Sequence, residues 1–174
     1  MTRATRGITL PELLCACAIT AVLGGLAVPG ATRWLADASA ERTFHRLTAG
    51  LALARTLAVT ERAPVVVCPL DARGVCDGDW TRGFAVFTDR ERRARLEPGR
   101  RPFRVFGASE ERVVLRAFGT RRYFRFLPNG QTDWQNGRFL VCPRVKGPAV
   151  RVLVVNVQGR ARRARHGGAT RDCG

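Results

Sequence analysis

Lysine is almost missing from this chain. Lys146 is the single lysine among 174 residues, so 29 of the 30 basic side chains are arginines, and only 14 acids oppose them, for a net charge of +16. That charge cannot be titrated away at ordinary pH, and its carriers are the side chains that fork onto phosphate. An arginine excess also arises from a GC-rich genome, so position along the chain has to carry the argument. Histidine is limited to His45 and His166, neither with a companion that would suggest a triad or a metal site. Both read as ordinary helix or surface residues; neither enzymatic activity, a cofactor nor a metal is expected. Internal repeats, glycine-rich linkers and low-complexity tracts are lacking too, and the length suits one handle plus one domain. Aromatic residues form no ladder or RNP-like pattern, so Trp80, Trp134 and Tyr123 are expected to pack the domain rather than stack on bases.

One long apolar run is present. Residues 13–32 hold twenty uncharged positions, about the ~20 a helix needs to cross a bilayer core. The head before it carries Arg3 and Arg6 and no acid, so the positive-inside bias keeps the N-terminus cytoplasmic and sends the body across. A removed secretory signal would place its cut after a shorter apolar core; here the candidate cut, after Gly7, lies before it. Removing the head lowers the net charge from +16 to +14, since Arg3 and Arg6 go and no acid goes with them. Ile8 would then be the first residue, and Glu12 would lie about one helical turn further on. Its carboxylate suits either the new amine of a neighbouring subunit in a filament, or the headgroup edge as a helix N-terminal acid favoured by the dipole.

The helical pattern continues beyond Pro29. Phe44, Leu47, Leu51, Ala54 and Ala58 form one apolar stripe, with Glu41, Arg42, Arg46 and Arg55 off it. Pro64 ends the helix after some fifty residues; a break into two helices at Gly24-Gly25 or Pro29 is the alternative. The period then changes to short strands, at residues 64–68, 83–87, 103–106, 112–117, 122–127, 138–142 and 150–157, with a turn at Pro128-Asn129-Gly130. They suit one antiparallel sheet, or two, wrapped on the second half of the helix.

Six cysteines fall into two groups. Cys15 and Cys17 lie in the apolar run and read as small apolar fillers. Cys68, Cys76, Cys142 and Cys173 would lie outside the cytoplasm, where disulfides persist, and their spacing fits no zinc module. Of the three possible pairings, Cys68 with Cys76 closing a hairpin loop and Cys142 with Cys173 pinning the tail is favoured.

The basic head, Gly7, Glu12, uninterrupted apolar run and Pro29 together resemble a type IV pilin N-terminus. The resemblance implies cleavage after Gly7 by a prepilin peptidase and N-methylation of Ile8, with Ile8 where phenylalanine is usual and Pro11 in place of an aliphatic residue. The sequence from Cys68 and Cys76 through Trp80 and GFAVFTD, then YFRFLPNG, FLVC and VLVVNVQGRARRAR with Cys173 behind, resembles the globular domain of the GspH/FimT group of minor pilins and pseudopilins. It implies an α+β, type IV pilin-like fold. The leader would be residues 1–7, the transmembrane and filament-core half of the helix 8–32, its periplasmic half 33–62, and the β domain with its basic loop 63–174. The protein would sit in the inner membrane as a single-pass protein and enter an extracellular pilus beside other pilins.

Residues 159–165 read GRARRAR, and residues 151–174 hold six arginines against one acid, Asp172. Nucleic acid is the most general partner for such a cluster. If the segment is extended, Arg160 and Arg162 share one face and Arg163 and Arg165 the other; Arg171 follows, and Gly159 permits a turn. FimT-type pilins used in DNA uptake carry a G-R-x-R motif that contacts DNA, and Gly159, Arg160, Ala161 and Arg162 match it. The resemblance thus implies sequence-independent binding of double-stranded DNA in natural transformation. The rival implications are a GspH-like pseudopilin of type II secretion, and a minor pilin that only primes pilus assembly. A second basic run at residues 90–101, with six arginines and two glutamates, reads as a solvated loop, a filament contact or an extension of the DNA footprint. Arg121, Arg122 and Arg125 read as strand residues with outward faces.

Overall fold

The computed structural model describes residues 9–118, 122–147, 149–164 and 173, and of residues 25–29 the backbone only. A single helix, α1 (Leu10–Thr60), passes Gly24, Gly25 and Pro29 without ending, so the two-helix alternative is not what forms. Pro11 falls in its first turn, where a missing N–H forfeits no intrahelical bond. The last turn closes with the Glu61 N–H on the Leu57 carbonyl at 2.8 Å, three residues short of Pro64.

The two halves of α1 have opposite surroundings. Leu10, Leu13, Leu14, Ile19, Val22 and Leu23 are exposed, whereas Ala36, Ala40, Phe44, Leu47, Leu51, Ala54 and Ala58 are buried at steps of three and four. The expected spanning run, residues 13–32, lies within α1, with the side chains of residues 25–29 outside the described ones. Among the described residues no helix is long and apolar enough to cross a membrane. Gly7 and Ile8 also lie outside the described residues; Glu12 sits in the first turn of α1.

Among the described residues eight strands follow: β1 (Val65–Cys68), β2 (Phe84–Thr88), β3 (Arg104–Phe106), β4 (Val113–Phe118), β5 (Phe124–Phe126), β6 (Gly137–Pro143), β7 (Arg151–Val155) and β8 (Ala161–Ala164). They form two four-stranded sheets in the orders β3-β2-β1-β5 and β4-β6-β7-β8, every pairing antiparallel. The buried stripe of α1 packs against both. β1 is buried along its whole length because both its faces are covered. Val65 and Val67 face α1, while Val66 and Cys68 meet Cys76, Ala85, Phe87 and Ala94 on the other side. Trp80 fills the join between the sheets, its ring centroid 4.8 Å from Phe139 and 5.9 Å from Phe84. Gly50 of α1 lets the Phe84 ring lie against the helix, where a Cβ would collide with it.

Cys68 is joined to Cys76 with Cα atoms 5.6 Å apart, and Cys142 of β6 to Cys173 at 5.8 Å. The second bridge lies with Leu140 and Val152 on the outer face of its sheet. Cys15 and Cys17 are unpaired and exposed.

Three features depart from the sequence reading. β8 lies inside the segment taken as a basic loop, and pairs with β7 from Val152↔Ala164 to Val155↔Ala161. Arg125 does not face outward: it is 4% exposed, because two carboxylates distant in sequence, those of Asp89 and Asp133, meet its guanidinium at 2.8 and 2.9 Å. Trp134 does not pack the domain. It is 84% exposed, at φ +54°, because the loop turns its backbone away from the core; Trp80 and the half-buried Tyr123 do pack.

Candidate nucleic-acid interface

The hairpin between β7 and β8 turns on Asn156 and Gly159. The Gly159 N–H reaches the Asn156 carbonyl at 2.9 Å, the Asn156 N–H the Arg160 carbonyl at 3.1 Å, and the Asn156 side chain accepts from the Arg160 N–H at 2.9 Å. Gly159 has φ +73°, and a Cβ there would run into the Gly130 carbonyl, so conformation and space both require glycine. The loop over residues 128–135 braces the turn from outside. The Thr132 N–H and hydroxyl both donate to the Val157 carbonyl, at 2.9 and 3.1 Å.

The helix braces it from the other side. Arg55 of α1 donates to the Gly159 carbonyl at 3.4 Å. Between Arg55 and the hairpin lies an open cleft of about 630 Å³ lined by Arg55, Arg160 and Arg162 and, among the described residues, by no acid. Arg55 was read from sequence only as a residue off the apolar stripe. Its partner stands 104 residues away, and no local pattern announces that pairing.

The arginines of the C-terminal segment divide by what they hold. Arg151 is engaged with Asp37 at 2.8 Å and Glu41 at 2.5 Å. Arg163, in register with the buried Leu153, bonds Glu41 and lies over the Phe44 ring, 4.3 Å from its centroid. Both fasten the second sheet to the helix. The hydrogen bond from Arg151, assisted by Arg163 against the opposing effect of burial, holds the Glu41 carboxyl below the ordinary carboxylate range. Burial would lower the Arg151 pKa, but bonds to Asp37 and Glu41 outweigh it and raise it. Arg160 and Arg162 are exposed and pair with no acid among the described residues. Arg165, Arg171 and His166 lie outside the described residues, as does Arg121.

The structure therefore brings Gly159, Arg160 and Arg162 together at one turn, adds Arg55, and ties the exposed Arg163 to Glu41. His45 stands 3.0 Å from Glu41 on the helix, away from the turn. Among the described residues no group of three or more His, Cys, Asp or Glu is placed to hold a metal. Chemically, the cleft offers arginine cations to a polyanion, with no acid among the described residues on its walls to repel one.

Comparison with known proteins fits this architecture. A family profile described as "Type II transport protein GspH" matches residues 43–159, ending at the glycine that precedes Arg160. Two crystal structures of the type IV minor pilin FimU of Pseudomonas aeruginosa (strain PAO1) are similar, each at 21% identity. They cover 76% and 74% of this chain and 90% and 91% of theirs, with TM-scores of 0.56 and 0.53. The minor pseudopilin EpsH from the type 2 secretion system of Vibrio cholerae matches at 15% identity over 74% of this chain and 95% of its own, with a TM-score of 0.49. No curated protein matches. With the family profile spanning well over half its length, and a long N-terminal helix laid on antiparallel sheets, the chain belongs to the GspH family of type IV minor pilins and pseudopilins.

Proposed function

We propose that this protein is a DNA-binding minor pilin whose contact is the β7–β8 hairpin, with Arg160 and Arg162 on phosphates, Arg55 supporting them from the helix, and Arg165 and Arg171 extending the contact. The observation that carries the reading is the cleft lined by three arginines and, among the described residues, no acid, while Arg151 and Arg163 are engaged with Glu41 and Asp37. Phosphate contacts position without reading sequence, so binding is sequence-independent. Cleavage after Gly7, methylation of Ile8 and a Glu12 contact with a neighbouring subunit would release α1 into a filament. The exposed side chains from Leu10 to Leu23 are an apolar surface suited to lipid first and to other pilin helices afterwards. Retraction would then bring captured double-stranded DNA into the periplasm for transformation.

The test is a salt series on the full chain in nonionic detergent, comparing wild type with an Arg160→Gln, Arg162→Gln double variant on a duplex. Each lost phosphate contact removes about 0.9 from the slope of log K against log salt, so the variant loses about two units. Absence of wild-type binding, or an unchanged slope, overturns the reading. The chain would then serve filament building alone, as a type II pseudopilin or a priming subunit.

A further inference from the structure

The second basic run and the arginine hairpin are far apart in sequence but lie along one edge of the domain. Thr88, at the end of β2, pairs with Val65, Val65 with Phe126, Phe126 with Thr132, and the Thr132 N–H reaches the Val157 carbonyl. Four steps at the usual ~4.8 Å strand spacing make a row of about 19 Å. One end of it leads within a few residues to Arg90 and Arg92, the other to Arg160. Arg90 and Arg92 are exposed and hold no acid among the described residues. Of the acids next to the row in sequence, Asp89 and Asp133 bind Arg125 and Glu91 binds Arg93, while Glu61 stands exposed four residues before Val65.

Between the two ends stands Trp134. Its backbone is held in the left-handed region at φ +54°, unfavourable for a bulky side chain. Its neighbours fix it there: the Trp134 N–H bonds the Thr132 carbonyl at 2.8 Å, Asp133 holds Arg125, and Gln135 accepts from the Arg125 N–H at 2.6 Å. The buried Arg125 thus anchors Asp89 at one end and the Trp134 loop at the other. A rigid loop that pushes an indole into water between two unpaired basic ends has the layout of a contact surface, because both exposure and strain cost stability unless a partner covers them.

We infer that this row is a second part of the DNA interface, straddling a groove: Arg160 meets one phosphate backbone, Arg90 and Arg92 meet the other, and Trp134 lies over the base edges between them. A row of about 19 Å exceeds the ~12 Å width of the major groove, so its ends reach both walls. The inference rests on the DNA-binding reading above and extends it by naming the remaining contacts.

The experiment compares four variants of the full chain in nonionic detergent on a blunt duplex over a salt series, each checked for a native thermal transition. Arg90→Gln with Arg92→Gln is expected to lower the salt slope by about two units, as the hairpin pair does. Trp134→Ala is expected to weaken binding roughly tenfold at every salt concentration while leaving the slope unchanged, because an apolar contact releases no counterion. Trp134→Phe, which keeps an aromatic face, should retain most of the affinity. If the hairpin double variant loses slope while the Arg90, Arg92 and Trp134 variants bind as wild type does, the DNA reading stands and this extension of it falls. If wild type binds no duplex, both fall.

Discussion

Arg125 and Arg160 are the same residue type put to opposite uses. Arg125 is nearly sealed off, with Asp89 and Asp133 around it; burial alone would lower its pKa, but the two carboxylates outweigh that and raise it. Arg160 stands in solvent on a turn that other residues hold still. A buried arginine with paired acids organises loops on either side of itself; an exposed one without an acid is available to an outside anion. In a chain this basic, total charge says little, and what separates paired from unpaired arginines is where the acids fold.

Removing the buried member is the strongest way to test that contrast. Arg125→Leu leaves the Asp89 carboxylate buried without its partner, and chemical denaturation should show a loss of about 3–5 kcal/mol. Gly159→Ala keeps every arginine but forces a Cβ at positive φ toward the Gly130 carbonyl. A loss of about 1–3 kcal/mol is expected, with weaker DNA binding from a displaced Arg160, read by denaturation and binding on the same preparation. A smaller effect should appear with pH. Glu41 has a folded pKa below its unfolded value near 4.5, so its stabilisation is present above that value and is lost as pH falls through the folded pKa. Glu41→Gln should therefore be less stable than wild type near neutrality, and the gap should close in acid; a constant gap would mean that ionisation is not the cause. At the far end, Arg160→Gln with Arg162→Gln should leave the thermal midpoint unchanged while changing the salt dependence of binding.

What the sequence could reveal follows from the range of the interactions involved. The stripe from Phe44 to Ala58 and the alternation of the strands are local periodicities, and both α1 and the strands β1 to β7 were legible from them. The Gly159-Arg160-Ala161-Arg162 turn was legible as a motif. β8 was not, since its residues, Ala-Arg-Arg-Ala, carry no strand composition and owe their extension to pairing with β7. The burial of Arg125 depends on Asp89, 36 residues away. The pairing of Arg163 depends on Glu41, 122 residues away. The exposure of Trp134 follows from the backbone of its loop, which composition does not encode.

The bridge from Cys142 to Cys173 matters differently once force is considered. Among the described residues β8 pairs only with β7, so a pull on the hairpin would open that pairing one hydrogen bond after another. The bridge encloses β7 and β8 in a covalent ring of sequence separation 31, closed on the inner strand β6. Tension entering at the hairpin can open the strand pair, but it cannot draw the segment out beyond that ring. If the hairpin carries a load as proposed, the bridge would keep an opened strand pair tethered, so that it can re-form.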